Sequence, residues 1–225
     1  MLRQILAFGL AVCSLALPAK QIVFKDSFFQ VVLDNDYVRV FRQADMLPGK
    51  MVTPPLRSAR DYVRIIFLAE KPSEECKGLV SRTSFSDIYV DYITPRDESK
   101  RTRTVARCRW KAVLIDLKSQ PPPTPFALDA VKLDPQHNLV LFENDRVRVV
   151  RVHFDLGEKG PVVDKRPRVI ILVTDMHAEV AKSGGAPEAR DGTAGTIYWS
   201  LGGSQATMNR NETKLDNIVV ELKGK

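Results

Sequence analysis

The sequence contains itself twice, and that repeat constrains its folding more than any other feature. Asn35-Asp36-Tyr37-Val38-Arg39-Val40-Phe41-Arg42 returns 109 residues later as Asn144-Asp145-Arg146-Val147-Arg148-Val149-Val150-Arg151. Val63-Arg64-Ile65-Ile66-Phe67-Leu68 is matched by Val169-Ile170-Ile171-Leu172-Val173 at an offset near 106, and Ser86-Asp87-Ile88-Tyr89 by Gly195-Thr196-Ile197-Tyr198 at 109. Val113-Leu114-Ile115-Asp116-Leu117-Lys118 is matched by Ile218-Val219-Val220-Glu221-Leu222-Lys223 at 105. Four collinear matches at nearly one offset predict a tandem duplication with halves at about 22–118 and 131–223. Between them Gln120-Pro121-Pro122-Pro123-Thr124-Pro125 reads as a stiff extended spacer, because proline has no N–H for a sheet ladder and a fixed φ.

Each half reads as β structure. Residues 30–42, 62–69, 139–154 and 169–174 are short, rich in Val and Ile, and bounded by Gly, Pro, Asn or Asp, while no segment of ten or more residues keeps a helical period. Asp34-Asn35-Asp36 and Glu143-Asn144-Asp145 are expected as hairpin turns, since Asn and Asp tolerate positive φ and bond their own backbone. Leu47-Pro48-Gly49 and Leu156-Gly157 are expected to end the next strand of each half. With 44% hydrophobic and 27% charged residues the chain can bury a core, which excludes disorder, collagen and a coiled coil as whole-chain readings. Regularly spaced short strands, duplicated, predict two sandwiches or open barrels.

Residues 1–19 stand apart. Met1-Leu2-Arg3-Gln4 is a positive opening, residues 5–17 are apolar, and small residues offer cleavage after Ala16 or Ala19, so a secretory signal and a periplasmic or secreted location are expected. The apolar run is shorter than the ~20 residues a spanning helix needs. A lipid anchor at Cys13 fits less well, because Val12 stands where such signals take Gly or Ala. Removal of the signal leaves Cys76 and Cys108, which in an oxidising compartment can pair as a disulfide or remain two buried thiols.

Glu143-Asn144-Asp145-Arg146-Val147-Arg148-Val149 with Gly157-Glu158-Lys159-Gly160-Pro161, Tyr198-Trp199-Ser200-Leu201-Gly202-Gly203 and the closing Val219-Val220-Glu221-Leu222 resembles the cupin superfamily, in particular small secreted bacterial cupin-like proteins. The resemblance covers the second half and, more loosely, the first. It implies an all-β bicupin, two tandem double-stranded β-helix (jelly-roll) barrels, with an N-terminal domain at 20–118, a Pro-rich linker at 119–130 and a C-terminal domain at 131–225. Cupins typically hold a metal through His-x-His, a glutamate and a further histidine. Carried over by position, those histidines fall on Val163, Lys165 and Gln205, and in the first half the corresponding residues 53–60 contain no histidine. No metal and no cofactor are therefore expected. His137, His153 and His177 are spaced 16 and 24 residues apart and match no compact ligand motif.

What remains is a residual pocket lined by Lys165, Arg168, Tyr198 and Gln205, with Asp164 on its rim. A lysine and a carboxylate in a barrel mouth can act as acid and base if their pKa values are pushed apart, whereas the bland alternative has Lys165 snorkelling over a barrel filled by Val163, Ile171 and Trp199. One basic stretch adds a second possibility. Arg101, Arg103, Arg107, Arg109 and Lys111 occupy alternate positions, so a strand there would show one cationic face to an anionic polymer, or pair it with Asp87, Asp91, Asp97 and Glu98. Nucleic acid is not expected, as the basic face carries no aromatic residue. The formal charge of +7 is diffuse. The reading is an exported, non-catalytic binding or accessory protein of the cell envelope that takes a small molecule or an envelope component. The alternative is a metal-independent isomerase or hydrolase using Lys165, Tyr198 and Gln205. Intact-mass measurement with alkylation tests the cysteines: a Cys76–Cys108 disulfide leaves no thiol to alkylate in the denatured, unreduced mature protein, and two alkylated thiols would show that none forms.

Overall fold

The computed structural model describes residues 28–46, 60–68, 84–85, 88–96, 109–124 and 126–224. Residues 1–27, both Cys76 and Cys108, and Arg101, Arg103 and Arg107 lie outside the described residues. In the first half the strands are β1 (Phe29–Asp34), β2 (Val38–Met46), β3 (Tyr62–Leu68), β4 (Ser84–Phe85), β5 (Ile88–Ile93) and β6 (Trp110–Leu117). A short helix, α1 (Ala130–Leu133), follows the spacer. The second half holds β7 (Asn138–Glu143), β8 (Val147–Phe154), β9 (Val163–Lys165), β10 (Arg168–Leu172), β11 (Met176–Lys182), β12 (Pro187–Gly192), β13 (Ile197–Ser200), β14 (Gly203–Asn209) and β15 (Leu215–Leu222).

The first hairpin of each half closes by the same local chemistry. Asn35 Oδ1 accepts from the backbone N–H of Tyr37 and Val38, and Asn144 Oδ1 accepts from those of Arg146 and Val147, all at 2.9 Å. These are Asx turns. The expectation that the turns exploit positive φ is corrected: among the described residues no non-glycine residue has one, and the turns are closed by the side-chain acceptor together with the backbone bonds from Asn35 N to Val38 O and from Asn144 N to Val147 O, both 3.0 Å. Each hairpin also carries a register shift at the corresponding place, between Val31 and Leu33 and between Val140 and Phe142.

In the second half β13-β10-β15-β8-β7 forms one sheet and β12-β11-β14-β9 the other. This strand order, two facing sheets whose neighbours are drawn from opposite ends of the chain segment, is that of a jelly roll, the double-stranded β-helix of cupins. The described sheet of the first half runs β1-β2-β6-β3-β5-β4, and its first five strands are ordered as β7-β8-β15-β10-β13 are. α1 is too short to leave a periodic signal in the sequence. Asp129 caps it by accepting from Val131 N at 3.0 Å.

The two halves meet through their corresponding sheets. Val38, Val40, Ile65, Val113 and Ile115 from the first half share one apolar cluster with Val147, Val149, Val169, Ile218 and Val220 from the second. Alternate residues of the first sheet, among them Phe41, Tyr62, Ile66 and Leu114, bury into a separate cluster on its other face. Tyr37 stacks on Trp199 across the interface at 5.6 Å, as Tyr92 does on Phe142 at 5.8 Å. Trp199 and Ile171 therefore pack against the first half and do not fill the second lumen, which corrects the expectation for both. Because one core serves both halves, Ile115→Ala is expected to cost about 2–5 kcal/mol of global stability while calorimetry still shows a single transition. Two separate transitions, only one of them moved by the substitution, would contradict a shared core.

Candidate functional site

The register of three strands arranges the inner face of the second half in rows. Arg148 on β8 lies opposite Glu221 on β15, and Glu221 lies opposite Arg168 on β10, so three charged side chains form one row across the sheet. Two residues along each strand, and so on the same face, Val150, Val219 and Ile170 form the next row, with Tyr198 of β13 beside Ile170. Lys165, Gln205, Thr207 and Val180 come from the opposing sheet, and the rows enclose a cavity of about 80 Å³. It is charged at one end and apolar along the next row, and Asn138, Asn217 and Thr207 also line it. The turn after β13 is pressed onto Lys165: Gly202 has φ +89°, and a Cβ there would sit 2.0 Å from the Lys165 carbonyl oxygen. Only glycine fits that crossing, which fixes the backbone from which Lys165 projects.

The charges of the row are unequally paired. Arg148, 3% exposed, donates from Nε to Glu221 at 2.8 Å and from Nη1 to Asp129 at 3.0 Å. Burial works against its charge, but Asp129 and Glu221 outweigh that and raise its pKa. The same bond holds the partly buried Asp129 carboxyl below its ordinary range against the opposing effect of burial. Arg168 is 4% exposed, and its Nη1 has no hydrogen-bond partner. Burial pulls its pKa down to about 10, with Glu221 partly offsetting, so the guanidinium stays charged at neutral pH. Burial and the neighbouring Arg168 charge draw Lys165 down to about 8, and burial raises Tyr198.

The spacer closes over this end of the lumen. Phe126 lies between two guanidinium groups, with Arg166 Cζ 3.8 Å and Arg148 Cζ 5.3 Å from its ring centroid. Ala130 and Val131 of α1 line the cavity. Asp164 ties the strap down: its Oδ2 accepts from Ala127 N at 2.9 Å and Leu128 N at 2.8 Å, and Ser204 Oγ also donates to it. The Ser204 bond, followed by the backbone bonds, lowers its pKa. Asp164 is thus not on the pocket rim as expected. It sits between Val163 and Lys165 on a strand, so a lumen-facing Lys165 turns Asp164 to the other side.

Lys165, Arg168, Tyr198 and Gln205 all line this cavity. Sequence reasoning misses Arg148, Glu221 and Asp129, although a lone acidic residue inside Ile218-Val219-Val220-Glu221-Leu222 is a signal for a buried ion pair. The metal expected of a cupin does not fit: Val163 offers no donor atom, the Lys165 ammonium repels a cation, and Gln205 supplies only a neutral amide. Among the described residues no group of three or more His, Cys, Asp or Glu converges on a point. His137 is buried against Phe154 at 4.5 Å, with Nδ1 2.7 Å from Asp134 and Nε2 3.0 Å from Glu158. His153 stands edge-on to it at 6.1 Å, and exposed His177 pairs with Asp191 at 2.5 Å. Arg109 and Lys111 are exposed around buried Trp110, as alternation requires, and Asp91 bonds Arg64 Nε at 3.1 Å. A larger cleft of about 760 Å³ opens between the halves, where Arg42 donates to the Gly195 carbonyl at 2.6 Å. Its walls run to Leu68 and Ile88, beside segments outside the described residues.

No family model matches the chain, and no curated protein matches it. Among solved structures it is similar to an IolB-like protein from Salmonella typhimurium LT2, 11% identical over 84% of this chain and 84% of that one, with a TM-score of 0.49. It is also similar to a cupin 2 conserved barrel domain protein from Leptotrichia buccalis, 10% identical over 91% and 97%, TM-score 0.40. A cupin domain from Bordetella pertussis Tohama I is 20% identical over 39% of this chain and 92% of that one, TM-score 0.37. The strand order of the second half is that of the cupin-like fold that the sequence resemblance implied.

An unpaired buried guanidinium is a standing cost, so Arg168→Met is expected to raise the free energy of unfolding by about 1–3 kcal/mol, as read from urea titration. A loss of that size would mean that Arg168 is paired after all.

Proposed function

We propose that the chain is an exported, metal-independent binding protein whose ligand site is the lumen of its second half. The observation that carries this is the pair of cations facing the cavity, Lys165 and Arg168, neither of which is neutralised by a bonded carboxylate as Arg148 is. A protein that only needed a filled barrel would gain stability by replacing both with apolar side chains of similar volume. Retaining buried charge at the expense of stability is the usual mark of a functional site. The misfit of Val163, Lys165 and Gln205 to a metal supports the metal-independent part. Export rests on residues 1–19 and the basic, apolar and small-residue order within them. The proposal takes 20–118 and 131–225 as two cupin-like domains joined by 119–130, which the matching order of their strands supports.

One observation favours the rival reading of a metal-independent enzyme: a lysine whose pKa is drawn to about 8 is placed to exchange a proton near neutral pH. Lys165 would be the acid–base group, with Arg168 holding substrate charge and Tyr198 and Gln205 orienting it. The basic stretch around Arg109 and Lys111 stays a secondary proposal for an anionic envelope polymer.

Three measurements test these readings. Mass spectrometry of the exported protein is expected to find a chain beginning at Leu17 or Lys20, and an intact Met1 would overturn the signal. Elemental analysis is expected to find no transition metal per chain; one equivalent retained through chelator and dialysis would overturn metal independence. The Lys165 side chain should titrate with a midpoint near 8 by carbon NMR. Since the unfolded chain holds that proton up to about 10.5, it binds more protons than the folded chain between those values. Stability should therefore rise with pH across that window, and Lys165→Met should abolish the rise.

A further inference from the structure

We propose that the lumen ligand is a small carboxylate with a short apolar tail, its carboxylate on Arg168 and Lys165 and its tail against Val150, Val219 and Ile170. The inference rests on the reading of the lumen as a ligand site and adds the chemical class. Charge comes first. Arg148 is already taken by Glu221 and Asp129, so the acceptors of the row are spent on one guanidinium, while Arg168 keeps an Nη1 without an acceptor at 4% exposure. A monoanion would complete the balance. A phosphate dianion would bring its second charge against the Glu221 carboxylate, which lies beside Arg168 in register. Shape points the same way, because a planar guanidinium matches the two oxygens of a carboxylate.

Size and lining set the tail. The cavity of about 80 Å³ has room for roughly two to three waters at about 30 Å³ each, which suits an acid of two to four carbons. Next to the charged row the wall is hydrocarbon, with Val150, Val219 and Ile170 on one sheet and Val180 on the other, while Asn138, Asn217 and Thr207 also line the cavity. A sugar ring or a larger polyol exceeds the room of about 80 Å³. The strap of Phe126, Asp129 and α1 lies over the same end, so the ligand would be enclosed and its ion pairs shielded from water.

Calorimetric titration of the full chain with sodium propionate, its neutral isostere propionamide, and inorganic phosphate tests this, with Lys165 followed by carbon NMR in parallel. Propionate is expected to bind at one site, at least tenfold more tightly than propionamide or phosphate, and to move the Lys165 midpoint upward, as a nearby anion favours the ammonium. Arg168→Met, expected to fold more stably than the parent, should weaken propionate at least tenfold, and Lys165→Met should weaken it by a similar factor. Propionamide binding as tightly as propionate, indifferent to Arg168→Met, would overturn the carboxylate while leaving a neutral-ligand lumen. Tighter phosphate binding would overturn it in favour of an oxyanion without a tail. Silence from all three probes, with an unmoved Lys165 titration, would overturn the carboxylate and the lumen reading together.

Discussion

The sheet of β7, β8, β10, β13 and β15 has to be covered on both faces. Its outward Val147, Val149, Val169, Ile218 and Val220 pack on Val38, Val40, Ile65, Val113 and Ile115 of the first half in one apolar layer. Burying such β-branched side chains contributes roughly 1.5–3 kcal/mol each, so this layer dominates what holds the two halves in one body. Because side chains alternate along a strand, spending Val147 and Val149 of β8 on that layer leaves Arg148, Val150, Val152 and Phe154 for the inside. The usual polarity of a sandwich strand is thereby inverted at one end: the residues facing the partner are apolar and some residues facing the barrel's own interior are charged.

That inversion explains why the lumen is not simply filled. Arg148, Glu221 and Arg168 stand side by side because three neighbouring strands are held in one register by the ladder. Two cations and one carboxylate in a row cannot all be paired, and the strap supplies a second carboxylate, Asp129, to Arg148 and not to Arg168. The residual positive charge is focused at the point where the cavity begins, and Lys165 from the opposing sheet adds to it. Low polarizability around these groups strengthens their attraction for an anion as much as it penalises their isolation. The stability cost of Arg168 and the proposed affinity for a carboxylate are two expressions of one desolvated charge.

Part of the lumen is legible in the order of residues alone. Lys165 and Gln205 follow from the resemblance, and Arg168 and Tyr198 are expected beside them as the lining of a residual pocket. Asp164 falls on the other side from the one its position suggests, since which of two adjacent strand residues faces inward depends on packing and not on residue type. Ile171 and Trp199 depart from expectation for the same reason: they are ordinary core residues, and only the position of the first half shows which core they join. Asp129 stays hidden because a four-residue helix has no period and its ion pair spans a linker and a strand.

What the sequence determined by itself is what local chemistry and periodicity encode: strands of Val and Ile bounded by Asx turns, segments that resemble one another at offsets near 109 residues, a proline spacer, and Val, Lys and Gln at 163, 165 and 205. These are properties of residues a few positions apart or of matching segments, so they need no knowledge of the fold in space. Only the tertiary structure decided which face of each strand is inside, that the two halves share one core, and that the spacer folds back so that Asp129 meets Arg148. Those outcomes depend on burying apolar area and neutralising charge between segments far apart in the chain, and that competition is settled by the whole packed molecule.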